Sequence, residues 1–128
     1  MNVKMYCIVA KESLDKMKGI RGKMMSMSGH AFLHSAWRSM DMFPEHHRLY
    51  RASERAYKIT LVVPTVEDLD ALQEAYQGIC GTSMVVDAGL TVFKDADGNN
   101  CPTQVCLGIG PIPENLIGED LKALKTLT

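Results

Sequence analysis

The sequence lacks any apolar stretch long enough to cross a membrane. Its apolar runs, such as residues 61–63, are far shorter than the roughly 20 residues that a transmembrane helix needs. The apolar segment 5–10 is followed by charged residues, among them Lys11 and Glu12, and no small-residue cleavage site appears. A signal peptide is therefore not expected, and we expect a cytoplasmic protein without a membrane segment.

The sequence also lacks the cysteine spacing of a zinc site or a disulfide framework. No two of its four cysteines have C-x-x-C spacing, and two of them fall in predicted strands. The adjacent His46 and His47 resemble metal ligands, but spacing suggests no third ligand. Reduced thiols in a cytosolic protein fit this pattern best, and we expect neither a metal nor a cofactor.

An overall excess of charge is absent, although the charges are unevenly distributed. Residues 1–60 contain eleven Lys and Arg against five Asp and Glu, whereas residues 61–128 contain three against ten. Such asymmetry favours one basic face that meets phosphates and one acidic face. The alternative is that the two halves interleave in space and their charges mix.

The 128 residues, 46% of them apolar, predict a single domain with a packed core. Strands are predicted at residues 3–10, 57–63 and 83–86, with a final hairpin at 91–93 and 104–109. Helices are predicted at residues 23–40, 46–56 and 116–127, and Pro111 and Pro113 are predicted to break the chain before the last of these. A further helix is predicted after Thr65, which caps it in a capping box with Asp68. Its buried stripe is predicted to contain Leu69, Leu72, Tyr76 and Ile79. This order indicates an α/β fold with parallel crossovers, helices on both sheet faces and a mixed sheet. The segment after the first strand is predicted to be a polar connection, and Pro44 to end the first long helix.

A possible anion site lies at the start of the first long helix. Lys23, Met27 and His30 are spaced four and three residues apart, so they share one helix face over about 10 Å. The helix N-terminus would reinforce the charge of Lys23 toward a phosphate or a polarised carbonyl. The alternative is a solvated Lys and a surface His.

A second candidate lies at the end of a predicted strand. Asp87 precedes Ala88 and Gly89, and its carboxylate could serve as a general base or orient a water or a Lys. The alternative is a turn in which the Asp side chain accepts nearby backbone N–H groups. Thr91 could donate a hydrogen bond to the same site. Segments 19–23 and 87–91 both come after strands, so they are expected near one sheet edge, where such folds bind ligands.

The remaining motifs are predicted to have structural roles and not to bind ligands. The glycines of Gly108-Ile-Gly110-Pro111 do not fit a dinucleotide loop and predict close backbone approach at a sheet edge. Asp95-Ala-Asp97-Gly98 predicts a turn and not a calcium loop. Core packing is predicted for Met24, Met25, Met27, Phe32 and Trp37.

Three motifs in order carry a resemblance to a known family. They are Gly-Lys-Met-Met-Ser-Met-Ser-Gly-His-Ala at 22–31, Met-Val-Val-Asp-Ala-Gly-Leu-Thr at 84–91, and Cys-Leu-Gly-Ile-Gly-Pro at 106–111. The sequence resembles the archaeal/eukaryotic-type peptidyl-tRNA hydrolases from about Val3 to Leu127. The resemblance implies a three-layer α/β sandwich with a four-stranded mixed sheet, often dimeric. It also implies hydrolysis of the ester between a peptide and tRNA, without a metal requirement.

The resemblance implies specific site residues. The catalytic candidates are Lys23, His30, Asp87 and Thr91. On this resemblance, Lys23 contacts phosphate or stabilises an oxyanion, Asp87 positions or activates water, and His30 and Thr91 complete the hydrogen bonds. We expect tRNA to approach the basic N-terminal half, and a homodimer. Contacts with the substrate are expected from Arg21, Gly89, Gly108 and Gly110.

Three positions depart from the family pattern. Met27 replaces a Gln, Leu90 replaces an Arg, and Val105 replaces a polar residue. Leu cannot imitate the planar, permanently charged donor of Arg. Two alternatives to peptidyl-tRNA hydrolysis therefore stay open. One is a non-catalytic module that binds RNA or a protein on the same scaffold, and the other is a hydrolase retuned to a smaller, less charged substrate.

Overall fold

The computed structural model describes residues 2–17, 20–90 and 92–128. Helices and strands alternate along most of the chain, and a short 3₁₀ turn at Glu114–Leu116 follows the last long strand. The strands are β1 (Val3–Ala10), β2 (Lys58–Val63), β3 (Thr82–Asp87), β4 (Thr103–Pro113) and β5 (Lys125–Thr126). The helices are α1 (Lys11–Lys16), α2 (Arg21–Met42), α3 (Pro44–Ala52), α4 (Val66–Tyr76) and α5 (Glu119–Lys122).

The strands form one mixed sheet in the order β3-β4-β1-β2-β5. β1 and β2 are parallel, while β4 runs antiparallel to both β1 and β3. The directions of β1, β2 and β3 are therefore the same, and their carboxyl ends lie at one edge of the sheet. The predicted α/β class and mixed sheet are confirmed, but the sheet has five strands and not four.

The helix predicted over residues 116–127 is wrong, because the segment forms a short helix followed by a two-residue fifth strand. Only Glu119–Lys122 is helical there, and Lys125 pairs with Val62 of β2. The Leu127 amide donates to the carbonyl of Thr60 at 3.0 Å. The free edge of β2 offers backbone hydrogen bonds that a continued helix would forgo, so strand pairing wins over helical periodicity.

Three other predicted segments are wrong. Residues 11–16, predicted as a connection, form α1. The predicted end of the first long helix at Pro44 is confirmed, because α2 ends at Met42, and Pro44 then begins α3 at a position where its missing N–H is harmless. Residues 92 and 93 are not a strand; the predicted turn instead closes through a single bridge between Lys94 and Asn100. Pro111 and Pro113, predicted to break the chain, lie within β4.

The helices cover both faces of the sheet. Alternate residues of β1 point to opposite sides: Ile8 packs with Leu69 of α4, and Cys7 packs with Ala31 of α2. Thr65 caps α4 in the predicted capping box with Asp68. Leu69, Leu72 and Tyr76 form its buried stripe, as predicted.

Small residues bring α2 unusually close to β4. A Cβ atom added to Gly108 would lie 2.1 Å from the Ala31 carbonyl oxygen. The buried Ser35 hydroxyl lies 2.5 Å from the carbonyl oxygen of Gly110, and the Ser39 hydroxyl lies 3.1 Å from the same oxygen. The predicted close approach is confirmed, but it occurs inside the sheet and not at its edge, because β4 lies between β3 and β1.

The two helical layers carry opposite charge. Together α2 and α3 contain five basic and two acidic residues, whereas α4 contains four acidic residues and no basic one. Because these helices cover opposite sheet faces, the charge asymmetry of the sequence becomes an asymmetry between faces. Within the described residues, no helix is both long and apolar enough to span a bilayer.

Candidate functional site

Lys23 and Asp87 form an ion pair at the carboxyl edge of the sheet. Lys23 lies in the first turn of α2, and Asp87 is the last residue of β3. The Lys23 Nζ atom is 2.7 Å from Asp87 Oδ2, and the side chains are only 19% and 3% exposed. A Lys so close to the positive end of a helix is unfavourable by itself, and the Asp87 carboxylate offsets this cost.

Asp87 also forms the backbone turn that is the structural alternative to a role as general base. Its Oδ1 atom accepts a hydrogen bond from the Gly89 amide at 2.7 Å. Gly89 has φ of +80°, and a Cβ there would lie 2.5 Å from the Cys101 amide nitrogen. The turn requires glycine at this position, and it fixes the Asp87 carboxylate so that Oδ2 points at Lys23.

The environment of Asp87 favours its ionised form. Burial of the carboxyl alone would raise its pKa, but the hydrogen bonds from Lys23 and the Gly89 amide, with the charge of Lys23, hold the pKa below its ordinary value of 3.8. Such a carboxylate is a weak base near neutral pH. Its chemistry is to hold a cation and to orient a polar group, and proton abstraction is secondary.

His30 lies about two helical turns along α2 from Lys23. It is exposed, and it lines an open cleft of about 450 Å³ together with Met27, His34 and Asp87. The shared helix face predicted for Lys23, Met27 and His30 therefore borders the carboxylate. The cleft places the imidazole of His30 and the carboxylate of Asp87, which is paired with Lys23, around one space that a small group can enter.

The other predicted site residues are distributed differently. Arg21 is the exposed first residue of α2, and Thr91 lies outside the described residues. Gly108 and Gly110 are buried in β4, where a Cβ would meet the backbone of Ala31 and of Lys4 respectively. Packing accounts for these two glycines, and their contact with substrate stays a prediction.

The departures from the family pattern make the site more apolar. Leu90 is 69% exposed immediately after the Asp87 turn. Met27 and Val105 line a second cavity of about 320 Å³ beneath the start of α2. This methionine cavity is walled by Val9, Leu14, Met17, Met24, Met25, Met27, Ser28, Thr60, Val105, Cys106 and Leu127. Met27 lines both this cavity and the cleft beside Asp87, so the two spaces are neighbours.

Two aromatic residues near the site were missed or misassigned. Trp37, predicted in the core, is 53% exposed, and Met25 is exposed as well. The Trp37 ring stacks on His34 with centroids 5.3 Å apart, and His34 lies 5.5 Å from His30. The spacing of four and three residues between these rings is visible in the sequence and could have placed them on one face. Phe32 is half-buried and packs against the core, as predicted.

The segment at residues 95–98 and His46, two motifs that resemble metal ligands, each make hydrogen bonds with backbone groups. Asp95 Oδ1 accepts the amides of Asp97 and Asn99, which confirms the turn. The Nε2 atom of His46 lies 3.1 Å from the carbonyl oxygen of Ile79. The described part of the chain contains no group of three or more His, Cys, Asp or Glu arranged to hold a metal ion.

The fold and site define an α/β protein with a buried Lys–Asp pair at the carboxyl edge of a mixed sheet. The sequence profile of the family described as Peptidyl-tRNA hydrolase PTH2 matches residues 3–127. The chain belongs to this family, as the three motifs indicated. A comparison with curated proteins finds no match.

Proposed function

We propose that this chain hydrolyses the ester bond between a peptide, or an N-blocked amino acid, and the 3′ end of tRNA. The observation that carries the proposal is the buried ion pair of Lys23 and Asp87 beside a cleft that His30 also lines. Membership of the peptidyl-tRNA hydrolase family supports the reaction class. The basic α2 and α3 layer supports tRNA as the partner.

In the proposed reaction, the oxygen of a water bonds to the ester carbonyl carbon and the carbonyl oxygen becomes an oxyanion. Lys23 stabilises this oxyanion because its ammonium group is already oriented and only partly hydrated. Asp87 keeps that ammonium in place and accepts a hydrogen bond from the water. The intermediate then expels the ribose oxygen, which takes the proton that the water gives up. His30 and Thr91 complete the hydrogen bonds to the substrate.

The test is release of free tRNA from an N-acetylated aminoacyl-tRNA. Lys23→Met and Asp87→Asn are each expected to lower kcat/KM by about 100-fold or more, the usual loss when an oxyanion donor is removed. The matched control is the ion pair between Lys11 and Asp15 in α1, which is 2.9 Å long and 63% exposed at both ends. Lys11→Met should leave turnover unchanged. Wild-type activity of the Asp87→Asn variant would contradict the proposed mechanism.

The two alternatives give different results in the same assay. A non-catalytic module would bind tRNA or a protein without turnover in the wild type. For the hydrolase, turnover should decrease as salt increases, because cations on the protein release counterions from tRNA phosphates. Binding that is salt-sensitive, combined with no ester cleavage at any enzyme concentration, would favour the module.

A specific observation favours an apolar acyl group as the substrate of a retuned hydrolase. The methionine cavity is almost entirely apolar and meets the cleft at Met27. Methionine side chains adapt to apolar groups of different shape. Esters with apolar acyl groups should then be cleaved faster than esters with charged ones. Met27→Gln should reduce this preference by about 10-fold.

We also propose that residues 1–128 act as one peptidyl-tRNA hydrolase-like domain in the cytoplasm. Cys7, Cys80, Cys101 and Cys106 are free thiols, which supports a reducing compartment. A homodimer is the state that the family resemblance implies. Light scattering of the purified chain at several concentrations tests it, and a constant monomer mass would contradict it.

A further inference from the structure

Three aromatic rings form a ladder on the surface of α2. His30, His34 and Trp37 follow one another at four and three residues, so they lie on one helix face. The centroids of His30 and His34 are 5.5 Å apart, and those of His34 and Trp37 are 5.3 Å apart with planes inclined by 17°. We call these three residues the aromatic ladder.

The packing of α2 does not require the ladder. The helix buries Ala31, Ser35 and Ser39 against the sheet, whereas all three ladder residues are exposed. An indole that is about half exposed forgoes much of the stabilisation that burial would give. A planar, exposed stack that contributes little to the core is the type of surface that binds flat apolar groups.

The ladder is continuous with the candidate active site. His30 and His34 line the same cleft as Asp87, and Trp37 extends the ladder away from it. From residue 30 to residue 37 the helix rises about 10 Å, which is close to the length of three stacked nucleotides at about 3.4 Å each. A chain of bases on the ladder would therefore end in the cleft that the Asp87 carboxylate lines.

The charges near the ladder favour nucleic acid over a protein segment. Arg38 follows Trp37 and is exposed, and the α2 and α3 layer is basic, with five cations against two anions. Phosphates between stacked bases need cations, whereas an apolar peptide does not. Aromatic rings next to cations are the usual combination in proteins that bind single strands.

We propose that the aromatic ladder stacks the unpaired nucleotides at the 3′ end of tRNA and delivers the terminal ester to Lys23 and Asp87. The delivery step rests on the proposed function, but the binding step does not. Trp37 at the far end takes the base furthest from the ester, and His34 and His30 take the following bases. Specificity for base identity is not expected, because stacking uses the face that every base has.

The chain has a single tryptophan, Trp37, so its fluorescence reports on the ladder directly. The experiment titrates the protein with the trinucleotide cytidylyl-cytidylyl-adenosine, which is the 3′ end of tRNA, and with inorganic polyphosphate. The trinucleotide should quench Trp37 in a saturable manner, and polyphosphate should not. Absence of quenching by the trinucleotide, or equal quenching by polyphosphate, would overturn the proposal.

Substitutions locate the binding surface. His34→Ala should weaken trinucleotide binding by about 5- to 150-fold, which corresponds to about 1–3 kcal/mol of stacking per base. Trp37→Ala removes the fluorophore, and its binding is measured by the anisotropy of a labelled trinucleotide, with a loss of the same size. The control is Met42→Ala, an exposed apolar residue at the end of α2 outside the ladder, which should bind normally. Equal affinities for His34→Ala and the wild type would contradict the proposal.

Kinetics separate this inference from the proposed function. With N-acetylated aminoacyl-tRNA, Trp37→Ala should raise KM by about 5-fold or more and leave kcat nearly unchanged, because the ladder holds the nucleotides and not the reacting atoms. If the trinucleotide binds through the ladder but no ester is cleaved, the proposed function is wrong and the ladder proposal is supported. If the ester is cleaved and Trp37→Ala does not change KM, the ladder proposal is wrong and the proposed function is supported.

Discussion

The ammonium of Lys23 and the carboxylate of Asp87 lie 2.7 Å apart although they are distant in sequence. The pair joins the first turn of α2 to the last residue of β3, so the helix and the sheet each hold one charge. Because the Asp87 carboxylate is almost fully buried, its ionised form depends on its hydrogen-bond donors. The Lys23–Asp87 contact is therefore expected to contribute both to the candidate active site and to the stability of the fold.

This link predicts energetic coupling between the two residues. Removing the Lys23 charge with Lys23→Met leaves a buried carboxylate without its cation, and we expect a loss of about 1–3 kcal/mol in the free energy of unfolding. A double-mutant cycle with Asp87→Asn should give a coupling energy of about 0.5–3 kcal/mol. Urea denaturation of the four proteins measures it.

The control for this cycle is the exposed pair of Lys11 and Asp15. Solvent screens that pair, so its coupling energy should be about 0.5 kcal/mol or less. If the two cycles give equal coupling energies, the buried pair contributes no more than a surface pair, and its proposed role in fixing Lys23 loses its support.

The lowered pKa of Asp87 predicts a specific response to acid. Hydrogen bonds from Lys23 and the Gly89 amide outweigh burial and keep the folded-state pKa below 3.8. The contribution of Asp87 to stability is therefore present above that value and is lost as the pH falls through the folded-state pKa. Urea midpoints measured from about pH 6 down to about pH 2 should show this loss in the wild type. Asp87→Asn should show a smaller acid slope, and parallel slopes would contradict the assignment.

The parts of the fold that the sequence predicted are those in which local pattern and tertiary packing agree. β1 has the predicted bounds, and α4 has both its capping box and its buried stripe. The prediction of one long helix at 116–127 is wrong. Ile117 and Leu121 are buried, and their spacing of four residues fits a long helix as well as the short helix that forms, so periodicity could not distinguish the two structures. The path of this segment is determined by its pairing with the open edge of β2, which no local sequence pattern reveals.

For the site, the sequence placed Lys23 and Asp87 at the right ends of their elements. Their closeness follows from strand direction, since β1, β2 and β3 all end at one edge. Trp37 was assigned to the core because large aromatic residues usually are. Its exposure follows from the small residues Ala31, Ser35 and Ser39, which press the other face of α2 onto β4.

That close approach predicts a severe effect of Gly108→Ala. The added Cβ would lie 2.1 Å from the Ala31 carbonyl oxygen, which belongs to backbone and cannot rotate away. We expect a loss of about 2–4 kcal/mol in the free energy of unfolding, as in other overpacked cores. Gly29→Ala in α2 is the matched control, because a Cβ there meets nothing within 4 Å. It should stabilise the helix by about 0.5–1 kcal/mol. Equal stabilities of the two variants by thermal denaturation would contradict the packing argument.

The last prediction concerns the tie between α4 and the C-terminal segment. The Tyr76 hydroxyl donates to Asp120 Oδ1 at 2.5 Å and accepts from the Gly118 amide at 2.9 Å. Burial, followed by the bond to Asp120, raises the pKa of Tyr76 to about 12, against an ordinary value of 10.0. A raised folded-state pKa contributes stability that is fully present below pH 10 and is lost as the pH rises toward about 12.

Tyr76→Phe should therefore act in two ways. At neutral pH it should cost about 0.5–1.5 kcal/mol of unfolding free energy, because the hydrogen bonds to Asp120 and the Gly118 amide are lost while water can still reach these two exposed residues. Above pH 10 its stability should decrease less steeply than that of the wild type. A residual slope is expected from other groups with a raised pKa, among them Tyr6, through burial and Glu114, and Cys80, whose pKa burial raises to about 12. Tyr57→Phe, an exposed ring, is the control and should keep the wild-type slope. Because Tyr76 lies on the α4 face and the ion pair on the α2 side, ester hydrolysis at neutral pH should be unchanged. An alkaline slope identical in Tyr76→Phe and the wild type would show that the hydroxyl is not the group that titrates.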